Sequence, residues 1–103
     1  MFIESFFQKI INHTNSESSA EWRLAIIEAD TMLDELTKEM GLEGETMADR
    51  LKNAQWRNIN DAWEAHKVRN RIAHEGFSFP LNQRETKRII GLYENVFREF
   101  GKI

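Results

Sequence analysis

The densest cluster of side chains suited to chemistry lies in the run RNRIAH at residues 69–74, near the end of a predicted helix. Arg69, Asn70 and His74 supply a guanidinium, a carboxamide and an imidazole, and His66 adds a second imidazole one turn earlier. Histidine titrates near neutral pH and can take or give a proton. Arginine stays charged and can hold a phosphate through paired hydrogen bonds. These residue types predict proton transfer beside a bound anion.

On a helical wheel, at about 100° per residue, this predicted helix has three sectors. The first is an apolar strip made of Ala65, Val68 and Ile72. The second is a solvent strip, where Arg71–Glu75 and Glu64–Lys67 have the spacing of ion pairs. The third is a mixed strip that contains Ile59, Ala62, Trp63, His66, Arg69, Asn70, Ala73 and His74. Arg71 belongs to the solvent strip, so we expect Arg69 to be the functional arginine.

Length and composition indicate one soluble domain with a modest core, formed by 103 residues. We divide the chain into residues 1–15, an amphipathic helix with a linker, and residues 16–103, a helical domain. The absence of cysteine excludes disulfides and thiolate metal sites. His66 and His74 lie too far apart in sequence to suggest a zinc site, so no metal and no cofactor are predicted. Without a membrane-length apolar run or a signal peptide, we expect a cytoplasmic location.

The net charge of −3 argues against indiscriminate nucleic-acid binding, but the charge is unevenly distributed. Residues 17–49 are mainly acidic, whereas residues 66–88 are mainly basic. One interpretation is a local phosphate-binding patch. Its predicted substrate-binding residues are His66, Lys67, Arg84, Lys87 and Arg88. The other interpretation is that oppositely charged helices simply attract each other.

Helical periodicity recurs along the rest of the chain, and no alternating strand pattern is present. An N-terminal helix with a strongly apolar face is followed by a polar linker at residues 13–19. We expect the face of this helix that contains Phe6, Phe7 and Ile10 to dock on protein. A long helix begins at a capping box formed by Ser18 and Glu21 and ends near Gly41. Its apolar seam is Trp22, Ile26, Ala29, Leu33, Leu36 and Met40.

Three further helices complete the predicted architecture. A short helix starts at Thr46, and the motif helix starts near Asn58, with Trp56 in the connection. A loop covers residues 76–80, and Asn82 with Glu85 caps the last helix. The apolar side of that helix is Ile89, Ile90, Tyr93, Val96, Phe97 and Phe100. The predicted fold is therefore an all-α, up-and-down four-helix bundle with one additional short N-terminal helix.

The spacing of Arg69, Asn70 and His74, at the exit of the penultimate long helix, resembles the signature of the HEPN domains. These are small all-helical modules found in many RNA-cleaving toxins and defence proteins. The resemblance implies metal-independent endoribonuclease activity, in which Arg69 holds the scissile phosphate, His74 transfers protons and Asn70 orients His74. Gly76 stands where several toxin members have a tyrosine that is nucleotidylated, so that form of regulation is not implied.

HEPN domains commonly dimerise, so the resemblance also implies a homodimer in which two copies of the motif face one cleft. On an ideal helix Arg69 and His74 diverge by about 140°, which one chain alone does not focus on one phosphate. Ile59 and Trp63 on the mixed strip are the predicted interface residues. RNA is the implied substrate, and an antitoxin is the implied partner if the chain is a toxin. The alternative is a non-catalytic, HEPN-like module for dimerisation or for binding nucleotide or RNA.

Overall fold

Five α-helices and one turn of 3-10 helix make up residues 2–103, the range that this computed structural model describes, with side chains from residue 5 onward. The elements are α1 (Phe2–Thr14), α2 (Ser19–Glu39), α3 (Met47–Lys52), α4 (Ile59–Glu75), a 3-10 turn (Gly76–Ser78) and α5 (Gln83–Glu99). That range contains no β-strand. The predicted all-α class is confirmed.

Helix α2 is the central element, because it packs against α1, α3, α4 and α5. The middle of its predicted seam is buried, namely Ile26, Ala29, Leu33 and Leu36. The two ends of the seam differ from expectation. Trp22 is only partly buried and donates its indole N–H to the carbonyl of Ser16 at 2.7 Å, and Met40 is exposed. The predicted apolar side of α5 supplies the opposing core residues Ile89, Ile90, Tyr93, Val96 and Phe97.

Helix α1 packs on protein through part of its predicted face, whereas Phe6 of that face is exposed. Phe7 and Ile10 are buried, and the Phe7 ring meets Phe97 edge-on with 5.7 Å between centroids. The helix continues to Thr14, beyond the expected start of the linker, and Gln83 of α5 donates a hydrogen bond of 2.8 Å to the Thr14 carbonyl. That contact accounts for the longer helix, because it satisfies a carbonyl at the helix end.

The predicted capping box at the start of α2 is wrong. Ser18 occupies the N-cap position, but its side chain makes no capping hydrogen bond. The Glu21 carboxylate instead accepts from the Ser16 hydroxyl at 2.7 Å and contacts the His13 ring at 3.2 Å. These contacts, with Ser16 the larger, lower the pKa of Glu21. The expected stop at the other end is confirmed, since Gly41 has a φ of 72°.

The caps predicted for the two later helices are confirmed. Thr46 accepts a hydrogen bond from the Asp49 N–H at 3.1 Å, and Asn82 accepts one from the Glu85 N–H at 2.7 Å. Each bond satisfies one of the free amides of a helix start. Trp56 lies in the α3–α4 connection, as expected.

The α4–α5 connection is more ordered than the predicted loop, because its first residues form the 3-10 turn. Gly76 has a φ of 56°, which suits glycine at this sharp exit from α4. Arg23 reaches across from α2, and its guanidinium donates to the carbonyl of Phe79 at 2.6 Å and to that of Gly76 at 3.4 Å. The same guanidinium lies 4.8 Å from the centroid of the Phe77 ring. Arg23 therefore fixes the backbone that follows α4.

The contrast between two N-cap residues gives a stability prediction. We expect Asn82→Ala to lower the free energy of unfolding by about 1 kcal/mol, because the Glu85 N–H loses its acceptor. We expect Ser18→Ala to change it by less than about 0.5 kcal/mol, because no capping bond is lost. Urea denaturation followed by circular dichroism measures both. Equal losses in the two variants would contradict the structural assignment of the caps.

Candidate functional site

The orientation of α4 agrees with two of the three predicted sectors. Ala65 and Ile72 are buried and Val68 is partly buried, so the apolar strip faces the core. Arg71 is exposed and pairs with Glu75 at 2.9 Å, as the solvent strip predicted. The predicted Glu64–Lys67 pair does not form, because Glu64 contacts Arg88 of α5 at 2.8 Å.

The mixed strip faces a buried acid, Asp30 of α2, which the sequence did not single out. His66 Nδ1 lies 3.1 Å and 3.2 Å from the two carboxylate oxygens of Asp30. Tyr93 of α5 donates its hydroxyl to Asp30 Oδ1 at 2.8 Å. Arg69 Nε lies 3.5 Å from Asp30 Oδ2. Three elements therefore meet at one carboxylate, whose side chain is only 6% exposed.

Asn70 closes a ring of polar contacts around this acid, which also includes the ion pair of Arg69 with Asp30. Its Oδ1 accepts from Arg69 Nη1 at 3.0 Å, and its Nδ2 lies 3.4 Å from His66 Nε2. The expectation that Asn70 orients His74 is therefore wrong. Side chains of an α-helix lean toward its N-terminus, so Asn70 points back to His66 and not forward to His74.

A polar cleft of about 360 Å³ opens over this ring, between α2, the start of α3 and α4. It is lined by Asp30, Thr31, Asp34, Thr46, Met47, Ala48, His66, Arg69 and Asn70. His66 is buried at the wall of the cleft, whereas the side chain of Arg69 is 38% exposed. The negative charges of the two aspartates in the lining are paired with cations. Asp34 contacts Arg50 and Lys38, and Asp30 contacts Arg69.

His74 lies outside this cleft. Its side chain is exposed, and it makes no hydrogen bond to the part of the chain that the structure describes. Eight residues of helix separate it from His66, a distance of about 12 Å along the axis. The structure therefore brings Arg69 and Asn70 together with His66, and leaves His74 on the open surface of the same helix.

The predicted basic residues do not join into one patch. Lys67 lies 6.0 Å from the centroid of the Trp63 ring, and Arg88 is engaged by Glu64 and Glu85. Glu85 and Glu64 raise the pKa of Arg88. Lys87 points to the end of α1, where it contacts Asn15, and Arg84 is exposed. None of Lys67, Arg84, Lys87 and Arg88 lines the cleft.

Ile59 and Trp63, the predicted interface residues, are partly buried and pack against the core of their own chain. The Trp63 ring also meets the His66 ring edge-on, with 6.5 Å between centroids. The apolar residues of the mixed strip therefore pack within a single chain and do not by themselves indicate a dimer. The homodimer stays a prediction.

Two residues of the site, Asp30 and Tyr93, were missed, although the sequence carries a signal for each of them. Asp30 follows Ile26 by four positions and precedes Leu33 by three, so it lies on the buried side of α2 and needs partners there. Tyr93 was assigned to the core only for its ring, although a buried phenol also needs a hydrogen-bond partner. Each of these buried groups is the hydrogen-bond partner that the other needs.

Among the described residues, no group of three or more histidine, aspartate and glutamate side chains is arranged to hold a metal ion. Nor is any helix in that range long and apolar enough to cross a membrane. Comparisons of the chain with protein families, with curated proteins and with solved structures found no match.

Tyr93 gives a prediction about pH, because it is the only tyrosine in the chain. Burial, followed by the charge of Asp30, raises the pKa of Tyr93 well above its ordinary value near 10. Folding thus favours the neutral phenol. This contribution to stability is complete below the pKa of the unfolded state and is lost as the pH rises through that of the folded state.

We therefore expect the ultraviolet absorbance of the phenolate to develop at higher pH in the native protein than in urea-denatured protein. Circular dichroism at each pH shows whether the helices are intact. Phenolate formation at the denatured midpoint, with the helices still native, would contradict the buried contact between Tyr93 and Asp30.

Proposed function

We propose that this chain is a metal-independent endoribonuclease of HEPN type, whose catalytic residues are Arg69, Asn70 and His74. The observation that supports this most directly is the state of Arg69. Asp30 and Asn70 hold its Nε and Nη1 groups, while Nη2 makes no hydrogen bond to the described residues. A guanidinium oriented at the mouth of a cleft, with donors still available, is suited to bind a phosphodiester.

The proposed architecture is the up-and-down four-helix bundle of α2 to α5, with α1 added. Helix α2 packs against both α4 and α5, and these two pack against each other, which supports the arrangement. Cleavage follows from attack by a ribose 2′-hydroxyl on the adjacent phosphorus. This step needs a proton acceptor, a proton donor and a cation that stabilises the charge building on phosphate. Arg69 is the cation and His74 transfers a proton.

The functional unit in this proposal is a homodimer. Arg69 and His74 are five residues apart on α4, which corresponds to about 7.5 Å along the axis and about 140° around it. A second copy placing its His74 near the Arg69 of the first would focus both groups on one phosphate. Ala73 is exposed beside His74 and is small enough for close approach of another helix. If the activity is toxic to its host cell, the cell also needs a partner that inhibits it, which is the antitoxin implied by the resemblance.

A non-catalytic module that binds RNA or nucleotide is the second candidate. The observation that favours it is the closed ring around Asp30, in which both ring nitrogens of His66 already have partners. Such a ring also suits a purely structural role, in which it joins α2, α4 and α5. Binding of RNA without cleavage would favour this candidate.

The two neighbouring arginines test the proposal. With single-stranded RNA and a chelator present, we expect the wild type to leave 2′,3′-cyclic phosphate ends. Arg69→Ala should lower the rate by at least about a hundredfold, the usual cost of losing a group that stabilises transition-state charge. Arg71→Ala is the matched control and should change the rate little, because Arg71 lies on the solvent strip and contacts Glu75 and the Phe79 ring.

Circular dichroism should first establish that both variants are folded. Equal losses in the two variants would indicate general phosphate attraction and contradict the special role of Arg69. Absence of cleavage by the wild type over varied RNA sequences would contradict the ribonuclease proposal itself.

The dimer has its own test. We expect Ala73→Arg to convert a dimer to monomer in analytical ultracentrifugation at micromolar concentration, because a bulky charge blocks the close approach of two α4 helices. Asn60→Arg, a change to the same residue type at another exposed position of α4, should leave the dimer intact. A wild type that sediments as a monomer would contradict the composite site.

A further inference from the structure

We propose that His66, positioned by Asp30, is the group that accepts the proton of the ribose 2′-hydroxyl. This inference rests on the proposed function. In that function Arg69 is the cation and His74 transfers one proton, so the second proton-transfer group still has to be assigned. The candidates are few, since the chain has three histidines and only His66 lines the cleft.

The contacts of His66 determine which nitrogen reacts. An ionised carboxylate only accepts hydrogen bonds, so Asp30 requires the proton of a neutral His66 on Nδ1. The lone pair of Nε2 then points toward Asn70, which also lines the cleft. A carboxylate that fixes the tautomer of a histidine and stabilises its protonated form is the arrangement of an activated base.

Asp30 is itself held in place, so it can orient His66. The Tyr93 hydroxyl and Arg69 Nε engage its oxygens from α5 and α4, and the side chain is 6% exposed. A carboxylate with three partners in a buried setting has little freedom to turn away. Asp30 is thus a positioning residue, and Tyr93 supports it.

The contact between Asn70 and His66 is weak enough to exchange. Its length of 3.4 Å lies beyond the usual range of about 2.7–3.2 Å for hydrogen bonds donated by nitrogen. A ribose hydroxyl entering the cleft can replace the Asn70 amide at Nε2. Arg69 donates to Asn70 Oδ1, so the residue that releases Nε2 is joined to the guanidinium that would bind the phosphate.

The step balances without any further reactant. Nε2 of His66 takes the 2′-hydroxyl proton while the 2′-oxygen forms a bond to phosphorus, and the bond from phosphorus to the 5′-oxygen breaks. The leaving 5′-oxygen receives a proton from protonated His74 of the second copy. The products are a 2′,3′-cyclic phosphate and a 5′-hydroxyl. Exchange with water then returns both histidines to their starting states.

The decisive experiment removes the imidazole and supplies it again. We expect His66→Ala to lower the rate of RNA cleavage by at least about a hundredfold. Added imidazole should restore part of that rate, because the vacated space adjoins the cleft. His13→Ala is the matched control. His13 also contacts carboxylates, Glu21 at 3.2 Å and Glu28 at 3.3 Å, but it does not line the cleft, so its loss should not change the rate.

Nitrogen NMR of the wild type tests the positioning role without relying on activity. We expect the neutral His66 ring to carry its proton on Nδ1, and Asp30→Asn to disturb that tautomer while lowering the cleavage rate by about a hundredfold. A wild-type proton on Nε2 would overturn the inference even if His66→Ala did not fold.

The outcomes separate the two proposals. An active wild type whose rate survives in His66→Ala, or a His66→Ala loss that imidazole does not restore, would overturn the role of His66 alone. A wild type that cleaves no RNA would overturn the proposed function together with this inference.

Discussion

The burial of one negative charge governs how the helices of this protein are arranged. Asp30 lies among apolar neighbours in α2, where an uncompensated carboxylate would be strongly unfavourable. Its partners come from α4 and α5, so the same interaction that satisfies the charge also fixes the relative position of three helices. Removing one partner of a buried ion pair typically costs about 3–5 kcal/mol, because the remaining charge stays buried. The ring is therefore a constraint on the fold as well as the wall of the cleft.

Buried arginines extend this pattern to both ends of α2. Arg23 satisfies carbonyls of the α4–α5 connection, and Arg50 contacts Asp34 and the Thr37 hydroxyl from α3. Each guanidinium spans two elements and supplies several donors in a fixed geometry. Charged groups thus join the two ends of α2 to neighbouring elements at defined positions.

Periodicity and end signals in the sequence were sufficient to predict the helices, because both act locally. The seam around Leu33, the caps at Thr46 and Asn82 and the stop at Gly41 all depend on neighbouring residues, and each was predicted. The site was predicted only in part. Arg69 and Asn70 were recognised, but their relation to His66 depends on the backward lean of helical side chains and on an acid from another helix. Asp30 lies 36 residues before His66, a separation that no local pattern spans.

The packing of α5 has a consequence for synthesis of the chain. Tyr93 completes the environment of Asp30, and Phe97 covers Phe7 of α1, so the last helix closes both the cleft wall and the N-terminal end of the core. During translation α2 and α4 emerge before α5, so the Asp30 carboxylate lacks its Tyr93 partner until α5 follows. The contacts around Asp30 are therefore complete only when α5 has been synthesised and has packed against α2 and α4. The wall of the cleft that Asp30 forms thus depends on residues 83–99, however early α2 and α4 are made.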